Sequence, residues 1–232
     1  EYEAGVEMGR FFAEKGIKTA AIYGAFIPNP MHVYRVAGVL SGLGLSYDGA
    51  TEEGEVVGKI FTDQSVDLSK ISGDIQIVSY LQGYGDTTTD EINAAIQAKP
   101  EAFISVGMAT TFFTQQLNAA GIEFSDIDSF TQSNGEAITN GKLVYLAGKY
   151  SSSVGPAFAL VLNAINGNVI RDEQGNAVSL SQNYQVATDE ATFDEFYKSD
   201  NGDNPIYNKE TLDQIIGESV TFDEINELVT SK

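Results

Sequence analysis

Segments with the pattern of short buried strands alternate with segments of helical periodicity along most of this chain, and this alternation most limits the fold. The two kinds of segment recur at the spacing of βαβ units, which predicts an α/β domain with a largely parallel sheet. Strand patterns cover 17–24, 55–61, 74–81, 102–107, 126–131 and 142–148, and helical patterns cover 1–16, 31–45, 87–100, 109–121, 135–141 and 151–167. Beyond 170 the sequence predicts a turn at 170–178, a strand at 180–188, and helical patches near 190–198, 209–217 and 221–230.

In parallel sheets, ligands bind beyond the carboxyl ends of the strands, where loops lead into helices. The segments 24–32, 81–86, 107–110, 131–135 and 148–151 should therefore share one rim. Aromatic rings there can cover the apolar face of a sugar, while amide and guanidinium groups bind its hydroxyls. The rim residues that predict a site for a neutral, polyhydroxylated ligand are His32, Arg35, Tyr84, Met108, Thr131, Gln132, Asn134 and Lys149.

Each of these residues also has a simpler interpretation that the sequence leaves open. Arg35 could pair with a surface carboxylate, and His32 could lie at a helix start without touching a ligand. Tyr84 could be an ordinary loop aromatic, and Lys149 a solvated charge. The set taken together is a stronger indication of a binding site than any of its members.

Charge and composition exclude several classes of partner and chemistry. The 33 acidic and 13 basic residues give a formal net charge of −20, and no basic patch is visible, so we predict no nucleic-acid partner. The chain has no cysteine and one histidine, which excludes thiol chemistry and disfavours His-rich metal centres. We therefore predict that the protein needs no cofactor and no metal.

No segment carries a convincing catalytic motif, and we predict that the protein is not an enzyme. The segment 135–142 has five residues between its glycines, and Leu143 stands where a phosphate loop needs Ser or Thr. Asp126 and Asp128 fall on one face of the predicted strand, but the sequence identifies no partner group for them. A nucleophile with its base and orienting group is likewise not identifiable.

Four segments resemble the type I periplasmic-binding-protein family, the sugar-binding subunits of ABC importers. They are GVEMGRFFAEKGIKTAAIYG (5–24), RVAGVLSGL (35–43), AKPEAFISVGMATTFFTQQLNAAGI (98–122) and TNGKLVYLAGKYSSSVGPAFALVLNAINGN (139–168), and the resemblance extends over roughly residues 1–188. It implies a three-layer, parallel-sheet carboxy-terminal lobe at 1–170, followed by a crossover strand and an acidic helical or loop tail at 171–232. The amino-terminal lobe, together with a signal peptide and a lipidation cysteine, would lie upstream.

The resemblance assigns roles to some residues and leaves others unmatched. The family's sugar-binding arginine falls on Arg35, and its ring-stacking aromatic falls near Tyr84. Its Asn-Asp pair falls within 106–108 and is not matched. Its aspartate falls near Thr131, which does not match, although Gln132 and Asn134 stand close. Its hinge glutamine falls at Gly148, beside Lys149. These departures argue against an ordinary aldopentose or aldohexose, and they leave a nucleoside, a modified sugar or another small polar molecule open as the ligand.

The resemblance implies a function outside the cytoplasm. We expect a lipid-anchored solute-binding component that closes two lobes around its ligand and delivers it to an ABC permease in the membrane. A lobe on its own would bind weakly and would expose an apolar face suited to homodimerisation. The alternative is the effector-binding domain of a LacI-like transcription regulator, which a DNA-binding head upstream would identify. A third class, an enzyme on a flavodoxin-like sheet, would require a catalytic set.

Overall fold

The computed structural model describes residues 1–84 and 87–231, so the predicted rim segment 81–86 and the predicted tail 171–232 each include positions outside the described residues. Among the described helices, none is long and apolar enough to cross a membrane. The strands are Thr19–Tyr23 (β1), Ser46–Tyr47 (β2), Ile71–Ser72 (β3), Gln76–Leu81 (β4), Ala102–Ser105 (β5), Glu123–Ile127 (β6), Leu143–Gly148 (β7) and Gln185–Ala187 (β8). The helices are Tyr2–Glu14 (α1), Pro30–Gly42 (α2), Glu53–Asp63 (α3), Thr87–Gln97 (α4), Ala109–Phe112 (α5), Thr114–Ala120 (α6), Gln132–Asn140 (α7), Gly155–Ile165 (α8), Glu190–Asn201 (α9), Lys209–Asp213 (α10) and Phe222–Thr230 (α11), with short 3-10 helices at Leu68–Lys70 and Ser151–Val154.

The main sheet confirms the predicted α/β class. Its strand order is β4-β1-β5-β6-β7-β8, and β1 pairs in parallel with both β4 and β5. The pairs β5–β6 and β6–β7 are also parallel. Strands β2 and β3 form a separate antiparallel pair. The carboxyl ends of β1, β4, β5 and β6 therefore meet at one edge of the sheet, as the sequence predicted.

Helices cover both faces of this sheet. On one face, Ser125 of β6 donates a hydrogen bond to the sulfur of Met8 in α1 at 3.1 Å. Phe103 of β5 contacts the ring of Phe113 with centroids 5.8 Å apart. Because Phe103 is in register with Phe124, and successive side chains on a strand point to opposite faces, Phe113 and Met8 lie on opposite faces of the sheet. The domain therefore has three layers.

Helices α1 and α2 are in direct backbone contact through glycines spaced four residues apart. A Cβ on Gly5 would lie 2.2 Å from the carbonyl oxygen of Arg35, and one on Gly38 would lie 2.1 Å from that of Tyr2. Gly9 and Gly42 make equivalent approaches, at 2.4 Å and 2.2 Å from opposing carbonyl oxygens. Only glycine fits at such positions, so these four residues fix the separation and register of the two helices.

Two predicted strands are wrong in type or position. The segment 55–61 is not a strand but part of helix α3, because its buried residues Val56, Val57 and Ile60 recur with helical spacing despite their β-branched side chains. The strand predicted at 126–131 is β6, which begins at Glu123. Gly121 ends α6 in the left-handed conformation, at φ 71°, so the chain can extend immediately afterwards.

The chain forms two compact units that interleave in sequence. The first comprises Glu1–Asp128, Gln132–Ala147 and Val186–Glu190, and contains nearly all of the sheet. The second comprises Ser129–Thr131, Gly148–Gln185 and Ala191–Lys232. Inside the second unit, Ala159 of α8 packs with Ile215, Ile225 and Val229. The single boundary predicted at 170/171 stays a prediction.

The glycine contact between α1 and α2 can be tested by adding one methyl group. Gly38→Ala should lower the free energy of unfolding by about 2 kcal/mol or more, because the new Cβ overlaps backbone atoms that cannot move independently. Gly58→Ala in α3 is the matched control, since nothing lies within 4 Å of its Cβ position. That control should be neutral or more stable by about 0.5–1 kcal/mol. Urea unfolding of both variants provides the measurement, and equal stabilities would contradict the close contact.

Candidate functional site

Two residues at the carboxyl edge of the sheet in the first unit adopt a left-handed backbone conformation. Ala25, just after β1, has φ 51°, and Met108, between β5 and α5, has φ 68°. Non-glycine residues in this region cost energy and often occur at functional sites. Asp48, Gln64 and Lys99 also have positive φ, so the two conformations agree with a site at this edge, and the side chains described next are what locate it.

Arg35 holds two separate parts of this edge together. Its side chain is buried, with the residue 6% exposed. Its Nε donates to Glu1 Oε2 at 2.7 Å, and its Nη1 donates to the carbonyl oxygen of Val106 at 2.8 Å. The guanidinium thus ties the start of α1 to the end of β5. The prediction that Arg35 binds a ligand stays a prediction, and the simpler interpretation, a carboxylate partner, is seen with Glu1.

His32 anchors the loop between β1 and α2. The ring is buried, and its Nδ1 lies 3.0 Å from both the backbone N and the carbonyl O of Phe26, so either tautomer can hydrogen-bond to this residue. Burial lowers the pKa of His32, and nearby Arg35 lowers it further, while the bond to Phe26 acts in the opposite direction. Neutral imidazole is therefore the form expected at pH 7. The N-cap of α2 is Asn29, whose side chain accepts from Met31 N at 3.0 Å.

Three aromatic rings, Phe26, Tyr84 and Phe112, form what we call the ring strip. Phe26 and Tyr84 are nearly parallel, 18° apart with centroids at 6.2 Å, and Tyr84 lies 5.7 Å from Phe112. Phe26 is 49% exposed and Tyr84 is 42% exposed. Large apolar rings at the surface forfeit burial energy unless something covers them. The ring strip is thus the feature of this edge best suited to bind a ligand.

Backbone contacts hold the ring strip in place. Gly83 N donates to the carbonyl oxygen of Ala25 at 2.6 Å, and the hydroxyl of Tyr23 donates to the carbonyl oxygen of Gly83 at 2.9 Å. These two bonds join the loop that carries Tyr84 to the loop that carries Phe26. Burial raises the pKa of Tyr84 and the positive charge of Arg35 lowers it, which places the guanidinium within electrostatic range of the strip.

A buried carboxylate organises the neighbouring strand ends. Asp126 is fully buried, and its Oδ2 accepts from the backbone N of Thr110 at 2.8 Å and from the Thr110 hydroxyl at 2.7 Å. Its Oδ1 accepts from the hydroxyl of Ser105 at 3.1 Å and from its neighbour's backbone N–H, that of Ile127, at 3.0 Å. Asp126 therefore fixes the start of α5 against the ends of β5 and β6.

Asp128 lies next to this carboxylate and nearer to solvent. It is half-buried, its backbone N donates to the carbonyl of Ala147 at 3.0 Å, and its Oδ2 is 3.4 Å from the Thr110 hydroxyl. The pKa of Asp126 is raised to about 6, chiefly by burial and also by the charge of Asp128, while the hydrogen bonds from Thr110 oppose the shift. Asp128, the more exposed of the two carboxylates, can thus accept hydrogen bonds from ligand hydroxyls.

The remaining predicted site residues have varied surroundings. In the first unit, Met108 is 38% exposed at the end of β5, Asn134 is buried in α7, and Gln132 donates to Glu136 Oε1 at 3.0 Å along the surface of α7. In the second unit, Thr131 is exposed, and the ammonium group of Lys149 lies 4.4 Å from the ring centroid of Tyr184. The structure thus brings His32, Arg35, Tyr84 and Met108 to one sheet edge.

The predicted site left out four residues of this edge: Phe26 and Phe112, which the sequence did not point to, and Asp126 and Asp128, which it offered only as a carboxylate pair without a partner. The partners of Asp126, which the sequence did not identify, are Ser105 and Thr110 at adjoining strand and helix ends. Placing β6 three residues too late hid these contacts, because it put Asp126 at the start of the strand. Among residues 1–84 and 87–231, no group of three His, Cys, Asp or Glu side chains could hold a metal ion.

Comparison with known proteins identifies the fold. No protein-family model matches the chain, and no curated protein matches it. Solved structures of similar fold include the following three. The periplasmic binding protein component of the arabinose ABC transporter from Shewanella sp. ANA-3, bound to alpha and beta-L-arabinofuranose, is 16% identical with a TM-score of 0.56, over 85% of this chain and 60% of that one.

The second is a twin-arginine translocation pathway signal protein from Burkholderia phytofirmans, 15% identical with a TM-score of 0.60, over 90% of this chain and 60% of that one. The third is a sugar-binding protein of a sugar ABC transporter from Bacillus halodurans. It is 13% identical with a TM-score of 0.57, over 84% of this chain and 64% of that one. These likenesses confirm the predicted type I periplasmic-binding-protein fold. The chain spans 60–64% of the length of these three structures.

The pKa of Asp126 provides a test of the buried carboxylate network. We expect its carboxyl to titrate near pH 6. Since this value lies above that of an unfolded aspartate, the folded state holds the proton more tightly. The resulting stabilisation is complete below about pH 4 and is lost, by about 2–3 kcal/mol, as the pH rises through 6.

Carboxyl-detected NMR of the chain measures the pKa directly. Thr110→Val removes a hydroxyl that donates to the ionised carboxylate of Asp126, so it should raise the pKa of Asp126 further. Thr114→Val is the matched control, because its hydroxyl donates to the carbonyl of Thr110 at 2.7 Å and not to the carboxylate. Titration of Asp126 at or below pH 4 would contradict the network.

Proposed function

We propose that this chain is the ligand-binding portion of a solute-binding protein of an ABC importer, and that the carboxyl edge of its sheet binds a small, neutral, polyhydroxylated molecule. The ring strip is the observation that carries the proposal. It presents exposed aromatic surface on the same sheet edge as the Arg35 guanidinium and the carboxylates of Asp126 and Asp128, and this is the edge where parallel α/β folds bind ligands.

The chemistry of the edge suits a sugar-like ligand. A sugar ring has a C–H face, which a phenyl or phenol ring can cover, and a rim of hydroxyls that both donate and accept. Asp128 can accept from such hydroxyls, and a hydrogen bond to a charged group contributes about 1.5–3 kcal/mol. Arg35 hydrogen-bonds to Glu1 and to Val106, so it also contributes to binding by positioning the edge.

The ligand class includes both sugars and nucleosides. The Shewanella protein is bound to arabinofuranose, and other solved structures of this fold hold D-allose and myo-inositol. Rings set nearly parallel, as Phe26 and Tyr84 are, can also stack a nucleobase. A net charge of −20 disfavours an anionic ligand such as a sugar phosphate.

In this proposal the protein acts outside the cytoplasm and catalyses no reaction. Its partner is a membrane permease, which receives the ligand after two lobes have closed around it. Closure is favoured only to the extent that the ligand makes extra contacts in the closed state. This chain supplies one lobe's share of those contacts, so it should bind with millimolar affinity.

Thermal unfolding with a panel of compounds tests the proposal. L-arabinose, D-allose, myo-inositol and adenosine, each at about ten times a low-millimolar Kd, should include at least one compound that raises Tm by several degrees. A ligand at about ten times its Kd stabilises the folded state by about 1.4 kcal/mol, which corresponds to about 3–6 °C for a chain of this length. A panel with no stabilising member would contradict the proposal.

Two variants test whether the stabilising compound binds at the ring strip. Tyr84→Ala should weaken binding of the stabilising compound about tenfold, equivalent to about 1.4 kcal/mol, because it removes the central ring of the strip. Tyr34→Ala is the matched control, since Tyr34 is a 37% exposed ring on α2. Equal affinities of the two variants, measured by ligand-detected NMR, would remove the ring strip from the site.

A further inference from the structure

Gly107, just after β5 in the first unit, leaves a small space among three polar groups. A Cβ at this position would lie 3.5 Å from Nη1 of Arg35, 3.6 Å from the carbonyl oxygen of Ile127 and 3.8 Å from Nε2 of His32. These are ordinary contact distances, so one small group fits there without displacing its neighbours. We call this space the Gly107 niche. Because Gly107 follows β5 at the carboxyl edge of the sheet, the niche belongs to the candidate site.

The imidazole of His32 presents an unused nitrogen to the niche. The residue is only 5% exposed, and its Nδ1 lies 3.0 Å from both the backbone N and the carbonyl oxygen of Phe26. Among residues 1–84 and 87–231, nothing hydrogen-bonds to Nε2, on the other side of the ring. Buried polar groups normally have hydrogen-bond partners, because an unpaired one costs free energy. A partner for Nε2 therefore has to come from outside the chain.

The three groups around the niche favour a hydroxyl as that partner. The carbonyl oxygen of Ile127 accepts a hydrogen bond, and the buried guanidinium of Arg35 attracts an electron-rich atom. Burial lowers the pKa of His32, so the ring is neutral at pH 7 and has one N–H donor and one acceptor nitrogen. A hydroxyl both donates and accepts, and it suits these groups whichever ring nitrogen carries the proton. An ammonium group would be repelled by Arg35, and a carboxylate has no proton to donate to Ile127.

The residues that follow β5 supply no polar side chain for this role. The family resemblance places an Asn-Asp pair within 106–108, where this chain has Val106, Gly107 and Met108. None of these side chains carries a strong hydrogen-bonding group. His32 reaches the niche from a different element, α2, and the backbone of Phe26 holds its ring in place. An imidazole from α2 therefore stands where the family has an amide or a carboxylate after β5.

We propose that His32 determines ligand specificity at this edge, because its Nε2 hydrogen-bonds to a ligand hydroxyl that enters the Gly107 niche. The same hydroxyl lies beside the carbonyl oxygen of Ile127 and the guanidinium of Arg35. A site built to bind a hydroxyl discriminates against an analogue that lacks it, since its own polar groups are then left unpaired. This inference rests on the proposed function, because the hydroxyl belongs to the neutral, polyhydroxylated ligand proposed for the edge.

Filling the niche is the first test. Gly107→Ala should weaken binding of whichever of L-arabinose, D-allose, myo-inositol and adenosine stabilises the chain about tenfold, because its methyl group takes the place of the hydroxyl. The Tm of the unliganded chain should not fall, since nothing lies closer than 3.5 Å to the new Cβ. Gly54→Ala in α3, where nothing lies within 4 Å, is the matched control and should leave the affinity unchanged. Equal affinities of the two variants would overturn the proposal.

Two substitutions of His32 separate ligand binding from anchoring of the loop. In His32→Asn the side-chain amide can take the place of Nδ1 beside Phe26, but no atom reaches the place of Nε2. In His32→Gln the amide reaches the place of Nε2 instead. By ligand-detected NMR, His32→Asn should lose about tenfold in affinity, whereas His32→Gln should keep most of it. A merely structural role would make His32→Gln the weaker binder, and that order would overturn the proposal.

Glycerol probes the niche without depending on which natural ligand the protein binds. His32 is the only histidine of the chain, so its ring ¹⁵N signals are identified at once. Glycerol at molar concentration should shift the Nε2 signal in the unsubstituted chain but not in Gly107→Ala. No shift, or an equal shift in both, would mean that the niche takes up only water, and would overturn the proposal.

The niche and the proposed function can fail separately in these experiments. A glycerol shift at His32, with none of the four compounds raising Tm, would contradict the proposed function and support the niche. A stabilising compound that binds Gly107→Ala and Gly54→Ala equally well would support the proposed function and overturn the niche.

Discussion

The backbone contact between α1 and α2 is the constraint on which the sheet edge depends. Gly5, Gly9, Gly38 and Gly42 allow the two helices to approach until a single Cβ would overlap a carbonyl oxygen. That approach brings Glu1, just before α1, to Arg35 in α2, and the guanidinium then reaches the carbonyl of Val106. The candidate binding edge is therefore held by helices packed on one face of the sheet as well as by its own loops.

The edge shows how a chain of net charge −20 can build a surface for a neutral molecule. Two of its charged groups are buried and hydrogen-bonded. Arg35 donates to Glu1, and Asp126 accepts from Ser105, Thr110 and the backbone N–H of Ile127. What faces solvent is mainly the aromatic surface of Phe26 and Tyr84. The buried, paired charges fix the geometry of the edge, while the exposed rings supply apolar contact area for a ligand. Such a surface is suited to a ligand recognised by its shape and its hydroxyl groups.

The sequence predicted most strands of the sheet, because hydrophobic periodicity and glycines at the ends of helices are local properties of the sequence. It mistook α3 for a strand, since Val56 and Val57 have β-branched side chains while their spacing with Ile60 is helical. It placed Arg35 and Tyr84 at the carboxyl edge of the sheet but did not point to Phe26 or Phe112, because ring contacts depend on how loops from different strands meet. The bond of Arg35 to Val106 spans 71 positions, and the bond of Asp126 to Thr110 joins separate elements, so neither follows from local pattern.

Amide chemical-shift mapping tests the central claim most directly, because it reports where a ligand binds as well as whether it binds. L-arabinose, D-allose, myo-inositol and adenosine would each be titrated into the ¹⁵N-labelled chain to millimolar concentration. Our account predicts that the largest shifts for a bound compound fall at 24–32, 82–84, 107–112 and Asp128. Shifts centred on α3, α8 or another surface, or none with any of the four, would contradict it.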